Sequence, residues 1–442
     1  MRKNKFLNVL RDGDVYLLHN TLHGTMAKVK CSLARSLVDA LEGGAVFEYD
    51  QTDNFHKMLK DSHMVVDDGV NETNLLNYYY TELSKRGSLD IKLIVTRQCN
   101  FRCTYCYESF VDEKMGNEVY ENLLIAIEKE AEHKGYKVVN IEFFGGEPLL
   151  EFEAICEFME NVQILAKAKG FVVNGSITTN AYYLSLDKLT KLVELNVLLY
   201  QITVDGLKEN HDKSRISVDF GGTWDTIINN LLDAKKSWLS YKMLIRTNFD
   251  SILSNDYGAY LNFMAKNFSG DGRFDFLFKA VKDLGIQPDS ELVKCDEEPN
   301  IIMGMTRLSK KLNLKVQYMC TPFSGMCYAA KSNSLVVDTG GALLKCTVTI
   351  DFANNVVGKL TTNGFEIDDD KICNWTSYNL QSECYDCSIL PLCYGKICPL
   401  KMQEPEVYDT DKCKTKVSIY ENQLKALFLD RSEWTEQCDD RA

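Results

Sequence analysis

Cys99-Asn100-Phe101-Arg102-Cys103-Thr104-Tyr105-Cys106-Tyr107 follows directly on the apolar run Ile91-Lys92-Leu93-Ile94-Val95-Thr96. Alternating and β-branched apolar residues read as a buried strand, which puts the cysteines on the loop leaving its C-terminal end. In α/β barrels that end carries the chemistry. Three thiolates within eight residues, spaced CxxxCxxC, can hold three irons of a cubane 4Fe-4S cluster. Soft sulfur suits iron, and a short loop lets all three side chains meet one centre. The fourth iron is then open to a small molecule carrying an amine and a carboxylate. A structural zinc loop is the alternative; it calls for a fourth ligand close by and for CxxC halves.

The spacing, with aromatic Tyr105 just before the last cysteine, resembles the signature of the radical S-adenosylmethionine (SAM) enzymes. The resemblance implies SAM as cofactor beside Tyr105 and a cluster on Cys99, Cys103 and Cys106. It also implies one-electron cleavage of SAM to methionine and a 5'-deoxyadenosyl radical, with an external reductant such as flavodoxin or ferredoxin.

Downstream, strand and helix patterns alternate as repeated βα units do. Strands are predicted over Asp90–Thr96, Val138–Phe144, Val172–Thr178, Leu198–Val204, Leu244–Asn248 and Arg273–Phe278, with helices such as Asn117–Lys134 and Leu184–Leu195 between them. Six such units resemble the partial (β/α)6 TIM-like barrel of the same enzymes, an α/β fold.

The strand ends are polar. Gly145-Gly146-Glu147-Pro148 follows the second strand; glycine lets backbone approach a ligand, and a glutamate accepts from an ammonium. It resembles the GGE motif that grips the methionine amine of SAM. Ser176, Thr178 and Asn180 end the third strand, within reach of a ribose or carboxylate. Asp205-Gly206, His211-Asp212 and Arg215 after the fourth resemble a DG-x-HD-x-R run of peptide maturases. That likeness implies Arg215 as a partner of the SAM carboxylate, with Arg246 or Asn248 as weaker candidates. Polar caps on strand ends are the alternative. Glu142 and Asp205 are candidate acids, and the lone loop histidine His211 is given no role.

Beyond Leu312 cysteines crowd. Cys327 and Cys346 flank a predicted hairpin of Ser334–Asp338 and Leu343–Lys345, and Cys384-x2-Cys387-x5-Cys393 follows. This resembles the SPASM extension with two auxiliary 4Fe-4S clusters, although Cys393 and Cys398 are separated by four residues where that pattern has three. The resemblance implies Cys320, Cys327, Cys346 and Cys398 on the nearer cluster and Cys384, Cys387, Cys393 and Cys413 on the outer one. With the cysteine loop, that makes three 4Fe-4S clusters. A zinc ribbon would use four thiolates and leave most of this field unexplained. Cys31, Cys156, Cys295 and Cys438 fit no pattern, and free cysteine is commonly a small buried hydrophobe; Cys373 stays unassigned.

Ahead of the barrel, Val15–Asn20 and Thr25–Lys30 read as a hairpin around Gly24. Ser32 caps a predicted helix carrying Leu33, Leu37, Ala40 and Leu41, a second helix runs Thr52–Leu59, Met64–Asp68 is a short strand turning at Gly69, and a longer helix starts at Glu72. Hairpin, helices and wing form a winged-helix layout that resembles the RiPP recognition element, which binds a precursor's leader peptide as an added strand. A plain cap on the barrel is the alternative.

Three units are therefore expected: 1–86 as the leader-binding module, 87–311 as the barrel, and 312–442 as the SPASM unit with a C-terminal helix. The 442 residues, 45% of them hydrophobic, allow two or three domains with sizeable cores. A net charge of −13 argues against nucleic acid as a partner. No apolar stretch approaches the roughly 20 residues of a membrane span, and no apolar h-region follows Met1-Arg2-Lys3-Asn4-Lys5, so a cytoplasmic protein with no membrane partner is expected. Sixteen cysteines in a reducing compartment fit metal better than disulfides.

Together these point to a radical SAM/SPASM maturase of a ribosomally made precursor peptide that closes cysteine thioether cross-links. Carbon-to-carbon cross-linking or epimerisation needs the same parts, and a non-enzymatic iron-sulfur redox sensor is the reading from another class. The formylglycine-making branch has an Asp directly after the hairpin cysteine, where this chain has Thr347.

Overall fold

The computed structural model describes residues 1–30, 48–84, 87–219, 221–284, 292–294, 296–318, 321–377, 380, 382–395, 398–399 and 412–428. The predicted helix after Ser32 lies outside them, as do Cys31, Cys295, Cys320 and Cys438 and the side chain of Cys413.

Four N-terminal strands come first: β1 (Arg2–Lys3), β2 (Leu7–Asp12), β3 (Val15–Asn20) and β4 (Thr25–Lys30). The predicted β3–β4 hairpin is there, but β2 joins it to make an antiparallel sheet in the order β2-β3-β4. Helix α1 (Asn54–Asp61) begins where the Asp53 side chain accepts from the Phe55 and His56 amides. Strand β5 (Val65–Val66) pairs with β1 instead of forming a hairpin wing with its neighbours, and Arg2 grips Glu72 with two nitrogens at 2.7 and 2.8 Å. Helix α2 (Glu72–Ser84) leads to the barrel.

The central sheet is mixed and rich in parallel pairs. Its core is β6 (Ser88–Thr96), β8 (Val138–Gly145), β9 (Val172–Thr179), β10 (Val197–Thr203), β12 (Lys242–Phe249) and β13 (Phe274–Ala280), each parallel to its neighbour, with short β14 (Lys315–Val316) parallel to β13 at the edge. These are the six predicted strands, and the predicted helix Asn117–Lys134 is present with the same ends. Outward positions such as Ile141, Phe143, Ile177, Ile202, Ile245 and Phe276 are wholly or almost wholly buried under the helices. Alternate positions turn Thr178, Gln201, Thr203 and Arg246 inward, to a cavity. The architecture is consistent with a partial TIM barrel.

Two pairings were not legible in the sequence. Strand β15 (Ser334–Val337) lies parallel to β6, with Ser334 opposite Asp90 and Val337 opposite Leu93, so the C-terminal hairpin with β16 (Ala342–Leu344) extends the barrel sheet. All four residues of β15 are buried, and a strand covered on both faces needs neighbours on both. The cysteine loop itself holds a short strand β7 (Phe101–Cys103), antiparallel to β11 (Arg215–Ser217), which sets Arg215 opposite Cys103.

The helix Lys412–Phe428 packs Tyr420, Leu424 and Phe428 with Leu17 of β3 and with Ile389 and Leu392. Among the described residues, no helix is long and apolar enough to cross a membrane.

Candidate active site

Cys99, Cys103 and Cys106 line one cavity of about 740 Å³ at the C-terminal ends of the parallel strands. Burial pushes the Cys99 and Cys106 thiols up to about 12 and raises that of Cys103. Such thiols ionise when a metal supplies positive charge at the sulfur. Among the described residues, no three His, Cys, Asp or Glu side chains converge closely enough to share a single metal ion. Thiols spread along one cavity wall fit a multi-iron cluster, where each sulfur serves a different iron.

The loop is fixed by a buried polar knot. The Tyr105 hydroxyl donates to Asp205 Oδ2 and accepts from Arg215 Nη1 at 2.8 Å and Asn248 Nδ2 at 3.2 Å. Asp205 Oδ1 accepts from the Asn248 amide at 2.7 Å, and the Arg215 guanidinium stands 3.8 Å from Asp205 Oδ2. Burial pushes the Asp205 carboxyl up, while Arg215 and the Tyr105 hydroxyl pull it back. Arg215, Arg246, Asn248 and Tyr105 face the cavity; Asp205 stands behind them. Arg215 Nε is buried with no hydrogen-bond partner, so the guanidinium retains a donor. His211 is buried, its Nδ1 accepts from the Asp205 amide at 3.2 Å, and burial drives its pKa well below the usual value. It is a neutral strut of the knot.

Gly145 and Gly146 line the cavity, and their smallness also serves the cysteine loop. A Cβ on Gly145, whose φ is +121°, would stand 2.2 Å from the Thr96 carbonyl oxygen, and one on Gly146 would stand 2.1 Å from that of Gln98. The approach lets the Gly146 amide donate to Thr96 O at 3.0 Å and the Glu147 amide to Gln98 O at 2.8 Å. Glu147 is wholly buried behind the wall. Its oxygens accept from the Leu149 amide at 2.9 Å, the Thr179 hydroxyl at 2.6 Å and the Asn180 amide at 2.7 Å. The structure thus places this carboxylate as a clamp between two strand ends, with its acceptor sites largely used inside the protein.

Thr178 and Asn180 line the cavity, whereas Ser176 bonds weakly to Ile141 O at 3.4 Å and does not. Asn180 Nδ2 donates to Asn100 Oδ1 at 2.7 Å, tying the third strand end to the cysteine loop. Glu142 is held inside the barrel by Lys92 and by the Thr178 hydroxyl at 3.2 Å.

Of the C-terminal cysteines, Cys327, Cys346 and Cys398 lie close enough to influence one another electrostatically, and Cys398 lines the same cavity as the first trio. Thr347 is held by Tyr328, its amide donating to the phenol oxygen at 2.8 Å and the two hydroxyls 2.9 Å apart. Cys384 and Cys387 pack together beside Phe6, Leu22 and Leu76, one turn apart, with the Cys387 amide donating to Cys384 O at 3.1 Å; Cys393 closes the next short helix. Cys156 is a buried core residue and Cys373 is exposed. Sequence reasoning missed Glu108, Lys279, Lys282, Glu298 and Lys416 on the cavity wall. Only Lys279 carried a signal, as a cation within the apolar run Phe274–Ala280.

The radical SAM superfamily pattern matches residues 93–245. A cysteine-type anaerobic sulfatase-maturating enzyme of Clostridium novyi is 30% identical over 158 residues, a match covering 34% of this chain and 41% of that protein. The chain thus spans less than half the length of that relative. Among solved structures, native anSMEcpe with bound AdoMet and the Kp18Cys peptide superposes with a TM-score of 0.59 at 18% identity, covering 77% of this chain and 98% of the other. SuiB of Streptococcus suis bound to its precursor peptide SuiA gives 0.53 at 13%, covering 91% and 97%. These two share the fold. The pattern match, the three thiols on one cavity wall and the polar strand ends around them lead to one assignment: residues 93–245 form a radical SAM domain.

Proposed function

We propose that this chain is a radical SAM maturase of a ribosomally made precursor peptide, closing cysteine thioether cross-links. The observation that carries the reading is the trio Cys99, Cys103 and Cys106 on the wall of a cavity large enough for SAM and a substrate side chain. The peptide-bound solved relatives support a peptide as substrate.

Cys99, Cys103 and Cys106 would hold one 4Fe-4S cluster, Cys320, Cys327, Cys346 and Cys398 a second, and Cys384, Cys387, Cys393 and Cys413 a third. When bound, the first supplies the electron that splits SAM, and the auxiliary clusters offer a sink for the surplus electron of bond formation. The chain's own residues bind and orient. Arg215, on the cavity wall, is the proposed partner of the SAM carboxylate, Thr178 and Asn180 face the cofactor's polar groups, and Gly145 and Gly146 leave it room. The leader is proposed to add a strand to an edge of the β2-β3-β4 sheet, where backbone pairing supplies affinity. Residues 1–86, 87–311 and 312–442 are the corresponding working units, with flavodoxin or ferredoxin as the reductant and the cytoplasm as the site of action. Thr347, held by Tyr328, stands where the formylglycine-making branch has its Asp, so that chemistry is not proposed.

The test is anaerobic. Reconstituted, reduced protein incubated with SAM releases 5'-deoxyadenosine, and a Cys106→Ala variant does not. Co-expression with a short cysteine-rich peptide encoded beside the gene then yields a product lighter by two mass units per bond, with equal loss of free thiols. Absence of 5'-deoxyadenosine would leave the sensor reading; mass loss with every thiol intact would point to carbon-to-carbon bonds.

A further inference from the structure

The cavity is cationic in an acidic chain. Five cationic side chains line it, Arg215, Arg246, Lys279, Lys282 and Lys416, against three carboxylates, Glu108, Asp283 and Glu298, while the chain as a whole carries −13. The cations lie on two sides. Arg215 belongs to the knot beside the cysteine loop, whereas Lys279, at the end of β13, faces Lys416 from the helix Lys412–Phe428 that closes the other side.

On that far side cations outnumber carboxylates, with Lys279, Lys282, Lys416 and Arg246 against Asp283 and Glu298. Glu298 is held by Lys282 at 2.6 Å. Arg246 spends its Nε on Asn248 Oδ1 at 2.8 Å and is only partly balanced by Asp205 behind it. Burial first, then the charges of Lys416 and Arg246, push Lys279 down to about 7, against a smaller pull from Glu298. Like charges gathered at a partly desolvated surface repel strongly, and an anion seated among them relieves that repulsion.

We propose that Lys279, Lys416 and Arg246 form a subsite for a carboxylate side chain of the substrate, so that the peptide segment drawn into the cavity carries an Asp or Glu near the residue modified. The proposal rests on the peptide-maturase reading for the identity of the ligand, and on the cavity wall alone for its chemistry.

Lysine footprinting on the anaerobically reconstituted full chain tests it. Trace acetylation followed by mass spectrometry reads the labelling of Lys279 and Lys416 relative to exposed Lys213. The probes are acetyl-Gly-Glu-Gly-amide, acetyl-Gly-Gln-Gly-amide and SAM. The glutamyl probe at several times its dissociation constant slows labelling of Lys279 and Lys416 about fivefold, and the glutaminyl probe leaves it unchanged. A Lys416→Met variant loses most of the protection at Lys279. Equal effects of the two peptides, or none from either at tens of millimolar, overturn the proposal. Full protection by SAM alone assigns the cluster to the cofactor and also overturns it. Release of 5'-deoxyadenosine by the same preparation separates the two readings: protection without release sinks the radical chemistry and keeps the subsite, while release without protection sinks the subsite alone.

Discussion

Arg215 Nη1 donates to the Tyr105 hydroxyl at 2.8 Å, although the two residues lie 110 positions apart. The contact exists because β11 pairs with β7 and sets Arg215 opposite Cys103, so the loop that presents the thiols is stitched to the end of the fourth barrel strand. The Tyr105 hydroxyl is shared by Asp205, Arg215 and Asn248, and three of these four side chains face the cavity. One phenol oxygen thus gathers three partners at the cysteine loop, beside the β7–β11 ladder and the Asn180–Asn100 bond that also hold it.

Tyr105→Phe removes that oxygen and keeps the ring. Buried Asp205 and Arg215 then lose a shared neutral partner and stay 3.8 Å apart. The expected loss is about 1–3 kcal/mol, the range for leaving buried polar groups short of a bond. Thermal unfolding of the iron-reconstituted variant, with visible absorbance of the loop's cluster as second readout, checks it. An unchanged melting temperature and spectrum would show that the hydroxyl does not set the loop.

Gly146→Ala tests whether the glycine pair serves the loop as well as the ligand. The new Cβ would sit 2.1 Å from the Gln98 carbonyl oxygen, a backbone atom that moves only if the cysteine loop moves. Destabilisation of at least about 1–3 kcal/mol is expected, together with reduced iron binding. Gly116→Ala is the control, because a Cβ there meets nothing within 4 Å. Similar behaviour of the two variants would rule out the close approach.

Much of this was legible from periodicity alone. The six central strands and the helix Asn117–Lys134 follow from apolar alternation and capping, which are local properties. What escaped was set by partners distant in sequence. Strand β7 is three residues long and has no pattern of its own; it exists because Arg215–Ser217 offers a ladder. The apolar run Leu335-Val336-Val337 predicts a strand, but only the free edge of β6 tells it where to pair. At the site, Glu147 has the residue type and position of a ligand-binding carboxylate. Its partners Thr179 and Asn180, 32 and 33 residues on, turn it into an internal clamp. Lys416 could not be linked to Lys279 before the helix Lys412–Phe428 was seen against the cavity.

His23 gives the N-terminal unit a pH dependence of known sign. Burial, helped by the stacked His63 ring 4.0 Å away, lowers its pKa from 6.5 to about 4, and Tyr79 closes the stack edge-on. A histidine held neutral contributes stability that is present above its unfolded value of 6.5 and is lost as pH falls through about 4. Protection factors in β3 and β4, taken relative to the intrinsic exchange rate at each pH, are therefore expected to fall as pH drops between those values. His23→Phe keeps a ring for the stack and removes the titration, so its protection factors should change less over the same window. Parallel profiles for the two proteins would exclude His23 as the cause.

Tyr420 links the C-terminal helix to the N-terminal sheet. The Tyr420 hydroxyl lies 2.7 Å from His19 Nδ1, and both side chains are fully buried. Tyr420 stands on the helix Lys412–Phe428 one turn after Lys416, so the residue that anchors this helix to β3 also positions a cation of the cavity wall. Tyr420→Phe takes one hydrogen bond from a buried imidazole and should cost about 1–3 kcal/mol. Tyr420→Ala adds an unfilled cavity and should cost about 3–5 kcal/mol. Hydrogen exchange distinguishes coupled from separate opening. If the sheet and the helix open as one unit, protection at residues 15–30 and 412–428 falls together in both variants, and in the order of the two losses. Loss of protection in the helix alone would mean that the sheet holds itself, and that binding at its edge has no mechanical route to the cavity through Tyr420.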